Sequence, residues 1–154
     1  MEKQLTEVTD MDKSLYKLCQ NTIDLIDYAR GIIAKQINII QLMTFYSKGR
    51  WIVEEQQQGE SRAKYGQQLI KKLSEALTEQ YGRGFSADTL ENVRRFFLTY
   101  QDRISETLFR KFAVEKSETV FSLFEKEVPF TLPWFHYLQL MRIKDESERK
   151  FYEP

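Results

Sequence analysis

The chain is short of the residues that build covalent cross-links or metal centres. Its one cysteine, Cys19, excludes a disulfide within the chain and any zinc site built on cysteines. Its one histidine, His136, argues further against zinc. No apolar run is long enough to span a bilayer, because Gln, Asn, Asp and Lys interrupt the richest stretch. The opening MEKQLTEVTDMDK is acidic and polar, unlike a secretory signal. A soluble cytoplasmic protein without a membrane partner or a cofactor is the expectation. Internal repeats and low-complexity linkers are missing too. The 154 residues therefore read as one domain, or one domain with a helical extension.

Net charge is also lacking, with 23 Lys and Arg against 23 Asp and Glu, which is weak support for a nucleic-acid binder taken globally. The balance is uneven along the chain. Residues 1–30 carry four cations against six anions, and residues 31–60 three of each. Residues 61–111 carry ten against six, and residues 112–154 six against eight. The one positive stretch can form a local face for phosphates within a neutral chain.

What is present is apolar and aromatic: 42% hydrophobic residues, enough for a core, with eleven Phe and eight Tyr. Leu15, Leu18, Cys19, Thr22, Ile26, Ala29, Ile33, Ile37, Ile40, Phe45 and Trp51 recur at helical spacing. They predict a long first helix, capped by Asp12 or Ser14 and running to about Gln56, after a flexible N-terminus of residues 1–13. Residues 14–154 then form a single helical domain. A second helix is expected from Ser61 or Gly66 to about Gln80, and a third from Ala87 to Tyr100 with Ser86 as its cap. Residues 101–132 permit short helices at 104–112 and 117–124, or a strand or hairpin arm through Val120 to Phe124. Pro133 opens a last helix, and the charged run from Lys144 either continues it or starts another at Asp145. The fold class is all-α, with the long N-terminal helix packed on a compact helical cluster.

The second and third helices flank the turn Gly82-Arg83-Gly84. Positive φ at one or both glycines would end the second helix there. Two helices joined by a short turn form a helix-turn-helix-like pair, whose second member can enter a major groove. Asn92 and Arg95 carry the side chains that pair with adenine and guanine, and Arg94 stands beside them. Arg62, Lys64, Lys71, Lys72 and Arg83 are candidates for phosphate contact. An ordinary solvated face with a Glu91–Arg95 ion pair is the competing account. The wide apolar stripe of the first helix calls for burial on more than one face, as in a homodimer.

A set of phrases occurs in order along the chain. They are Gly49, Ile52, Glu54, Glu55 and Gln56; Arg62, Ala63, Tyr65 and Gly66; Leu73, Leu77, Gly82, Gly84, Phe85, Ser86, Leu90, Arg94 and Phe96; then Leu132, Trp134, His136, Arg149, Phe151 and Tyr152. Together they resemble the N-terminal domain of the bacterial YhcG-like family, over about residues 20–153. Tyr46, Lys48 and Phe135 depart from that pattern. The resemblance implies a helical DNA-binding or targeting module that precedes a domain similar to PD-(D/E)XK nucleases. On that basis the chain is an isolated N-terminal domain or a single-domain relative. Its expected partners are double-stranded DNA, and a second copy or the nuclease domain itself.

Catalysis by this chain is not expected. The only acid-x-Lys spacing, Glu148-Arg149-Lys150, lies in a charged helical segment without strands around it. No nucleophile motif accompanies His136, which reads as structural or surface. Cys19 reads as a small buried hydrophobe on the first helix.

Overall fold

The computed structural model describes the backbone of residues 2–58 and 62–153, and side-chain exposure for residues 10–58 and 65–153. The fold is all-α, with no strand among the described residues. Seven α-helices follow in order: α1 (Glu2–Gln57), α2 (Arg62–Tyr81), α3 (Ala87–Tyr100), α4 (Glu106–Phe109), α5 (Val120–Lys126), α6 (Trp134–Leu140) and α7 (Glu146–Tyr152). The chain divides after Ile37 into two units, Met1–Ile37 and Asn38–Pro154. Helix α1 starts at Glu2, so Asp12 and Ser14 are interior positions rather than caps. A capping side chain acts only where the preceding backbone leaves the helix.

In the second unit, the α1 residues Ile39, Leu42, Met43 and Tyr46 repeat at helical spacing and are buried. They join Phe96 and Tyr100 of α3, Leu108 and Phe109 of α4, Phe124 of α5, Phe130, and Tyr137 and Leu140 of α6 in one core. Asn38 Nδ2 donates to the Leu132 carbonyl at 3.0 Å, and the Tyr46 hydroxyl donates to the Gln101 carbonyl at 3.2 Å. A smaller patch of Ile52, Ile70, Leu90 and Val93 binds the end of α1 to α2 and α3.

Both turn glycines have positive φ, Gly82 at 84° and Gly84 at 105°, which fits their role in ending α2. The Gly82 amide donates back to the Thr78 carbonyl at 2.8 Å. Ser74 Oγ donates to the Phe85 carbonyl at 2.6 Å, tying the turn to α2. Ser86 caps α3 by accepting from the Thr89 amide at 3.2 Å.

The stretch with two readings, residues 101–132, holds short helices joined by turns and no strand. Ser105 caps α4, which runs on into a π-helical turn over Arg110–Val114. Lys116 ends that turn at φ 53°, an unusual conformation for a residue with a Cβ. The segment Val120–Phe124 lies in α5, because Val120 and Phe124 are four apart and both enter the core. Pro133 stands one place before the first helical residue of α6, and Asp145 caps a separate α7.

Candidate functional site

The α2–α3 pair carries the eight residues picked out for DNA. Arg62 and Lys64 lie in the first turn of α2, but their side chains fall outside the described residues. Lys71 and Lys72 on α2, Arg83 in the turn and Arg95 on α3 are exposed. Asn92 is half-buried. Arg94 is drawn inward: its Nε donates to Gln56 Oε1 at 2.7 Å, and its Nη1 meets Glu91 Oε1 at 3.0 Å. The ion pair on this helix is thus Glu91–Arg94, three residues apart, rather than Glu91–Arg95. Arg94 lines an open groove of about 790 Å³ with Gln56, Gly66, Gln67, Ile70, Glu91 and Leu98.

Helix α3 is a core helix on most of its circumference. Leu90, Val93, Phe96 and Tyr100 are buried, and Asn92, Arg94, Phe97 and Thr99 are half-buried. Its fully exposed positions are Ala87, Asp88, Arg95 and Leu98, which puts one cation beside one anion. On α2, Glu75 and Glu79 share the exposed surface with Lys71 and Lys72. The positive excess of residues 61–111 is also partly spent. Arg103 forms a two-pronged pair with Glu153, one of whose bonds measures 2.8 Å.

The departures from the family pattern are placed in three ways. Tyr46 is buried, with its ring edge-on to Phe97 at 5.2 Å. The Lys48 ammonium sits 4.8 Å from the Phe45 ring centre and 5.2 Å from that of Phe85, and burial lowers its pKa. Phe135 is exposed, as is His136.

A polar cluster that sequence reading missed closes the far end of the second unit. The Tyr137 hydroxyl accepts from the Thr131 and Leu132 amides at 3.1 and 3.4 Å, and donates to Glu153 Oε1 at 2.8 Å. Arg103 lies over the Tyr100 ring at 4.6 Å. Burial is the main cause that pushes the Tyr100 phenol up to about 12, so it stays protonated at neutral pH. Glu153 lies 16 positions from Tyr137 and 50 from Arg103, and no local motif announces the cluster.

The first unit presents a different surface. From residue 10 to 37 every side chain but Gln36 is exposed. Among them are Met11, Leu15, Leu18, Leu25, Ile32, Ile33 and Ile37, the last four between 44% and 65% exposed. Cys19 is exposed too, which corrects its reading as buried: the stripe it lies on is uncovered within this unit. Met11, Leu15, Leu18, Thr22, Leu25, Ala29, Ile32 and Gln36 alternate by four and three residues, the spacing of a coiled-coil seam. Met11, Leu25 and Ile32 escaped the initial reading because it followed the neighbouring row through Ile26, Ile33 and Ile37. Together the rows make an apolar face wider than one seam.

Comparison with known proteins fixes the family. The DUF1016 N-terminal domain matches residues 21–154 of this chain. The chain belongs to that family. A relative described as "Putative nuclease YhcG", from Escherichia coli (strain K12), is 36% identical over 142 residues, covering 85% of this chain and 38% of the relative. The chain thus spans well under half of that relative's length. No solved structure matches. The DUF1016 match takes in α2, α3 and residues 21–57 of α1, so the α2–α3 surface and the part of the α1 face from Thr22 onward lie within it. No helix among the described residues is long and apolar enough to cross a membrane, and no cluster of metal-ligating residues occurs among them.

Proposed function

We propose that this DUF1016 domain is a non-catalytic assembly module of a nuclease-family protein, working in the cytoplasm, with α1 as its protein-docking element. The uncovered apolar face of residues 11–37 carries this reading. Exposed patches on single soluble chains rarely exceed a few hundred Å² unless they bind something. Eight seam positions rise over about 38 Å of helix. Isolated helices are marginal in water, so a helix of this kind gains most of its stability by packing its apolar face. The test is the native mass, in extracts of the protein's own cells, of a chain carrying Ile33→Glu and Ile37→Glu. Both positions are exposed in the single chain, so the change spares its packing.

A second reading adds DNA contact, supported by the exposed cations Lys71, Lys72, Arg83 and Arg95 and by the family's nuclease relative. Arg62 and Lys64 extend the set by sequence, and Arg94 and Asn92 remain candidates at its inner edge. Such contact goes to phosphates and weakens steeply with salt. Replacing Lys71, Lys72, Arg83 and Arg95 with Glu is expected to abolish any shift of duplex DNA at low salt. An unchanged shift would remove this reading and leave assembly untouched.

A further inference from the structure

We infer that the occupant of the α1 face is a second copy of this chain, lying parallel and in register. The inference rests on the assembly reading and names its partner.

Charge is the first argument. Residues 10–37 hold four anions, Asp10, Asp12, Asp24 and Asp27, and four cations, Lys13, Lys17, Arg30 and Lys35. Two copies of a neutral segment do not repel each other, whereas a strongly charged segment would need a partner of opposite sign. Neutrality also counts against a lipid surface, because helices that lie on membranes are rich in Lys and Arg on the polar face. The same balance gives no electrostatic gain to an acidic or basic partner.

Spacing is the second argument. A four-three ladder kept over more than three heptads is the pattern of a helix that packs against a helix of matching pattern. A second copy supplies that match at every step.

The polar positions set the alignment. Thr22 and Gln36 interrupt an otherwise apolar ladder. In a parallel pair in register the interruptions coincide, with Gln36 at the same level as Gln36 and Thr22 at the same level as Thr22. Turning one copy around places Gln36 opposite Met11 and Thr22 opposite Leu25, leaving a polar group against an apolar one at each site. A single polar seam position is known to fix register in coiled coils.

The test uses the whole purified chain with Cys19→Ser and Leu18→Cys. Residue 18 lies in the seam, so two copies in register bring the new thiols together, within the short reach that a disulfide demands. The expected result is a sedimentation mass that is a multiple of 18.5 kDa, with a cross-linked dimer on mild oxidation that added Leu25→Glu and Ile32→Glu changes, both at exposed seam positions, remove. A multiple mass without the cross-link overturns the parallel alignment. A single-chain mass at all concentrations up to about 100 μM, some hundredfold above a micromolar Kd, overturns the second copy as occupant. Should the native mass in cell extracts still fall on Ile33→Glu and Ile37→Glu, the assembly reading survives with a different protein in the groove. Vesicle binding without self-association overturns both.

Discussion

Gly49→Ala is expected to destabilise the domain by at least about 3 kcal/mol, at the upper end of the usual cost of overpacking. A Cβ built on Gly49 would lie 2.1 Å from the Val93 carbonyl oxygen and 2.9 Å from the Phe97 Cβ. The first neighbour is backbone of α3, so no side-chain rotation relieves the clash. Helices α1 and α3 must move apart, and the core between them holds Tyr46, Phe96 and Tyr100. For a chain of this size the loss is a fall of roughly 6–12 °C in the unfolding midpoint, which calorimetry or circular dichroism reads directly. Gly31 supplies the contrast. It is helical, and a Cβ there meets nothing within 4 Å. Alanine at that position removes the conformational penalty of glycine, a gain of up to about 1 kcal/mol. Two glycine replacements in one helix are thus expected to have opposite signs.

Glu153→Ala is the second large effect, expected to cost about 2–3 kcal/mol. The Glu153 side chain is 7% exposed and accepts from the Arg103 guanidinium and the Tyr137 hydroxyl. Removing one member of a buried ion pair leaves the other charge without a partner, which costs about 3–5 kcal/mol when both are fully enclosed. Arg103 is 30% exposed and can turn partly to water, which reduces the figure. Tyr137, wholly buried, loses its acceptor and keeps only the two amides that donate to it. Denaturant unfolding of Glu153→Ala beside Arg103→Ala and the double variant measures the coupling. Additive losses would show that the pair contributes nothing.

The helical parts of this fold were legible wherever local chemistry decides. Ser86 and Gly82 punctuate the chain by their own hydrogen bonds and backbone preferences and stand where expected, while Asp145 starts a separate helix, one of the two readings open for the charged run. Residues 101–132 were not legible, because Val120, Phe121, Leu123 and Phe124 satisfy both a helical and an alternating pattern. What decides is Val120 and Phe124 entering the same core, a fact held by distant residues such as Tyr46 and Phe96. The start of α1 was misplaced because Asp12 and Ser14 look like caps but lie on an exposed helix surface.

Among candidate functional residues, Arg94 and Arg95 are neighbours on a helix and so lie about 100° apart, but nothing local says which one the fold keeps. Gln56, 38 positions earlier, is what draws Arg94 inward. The cluster of Tyr137, Arg103 and Glu153 left no trace in any local spacing. The uncovered face of α1 was half visible. A stripe too wide for one partner was plain, while the four-three ladder emerged only once residues 10–37 proved exposed from end to end.

The account centres on that face as the place where protein meets protein, and the native mass of the Ile33→Glu, Ile37→Glu chain in extracts of its own cells tests it most directly. Charge buried on an apolar docking face without a partner costs several kcal/mol, enough to loosen association more than a hundredfold. The account predicts a complex well above 18.5 kDa for the unaltered chain, reduced in the variant while its unfolding midpoint stays the same. An identical native mass for both would contradict it.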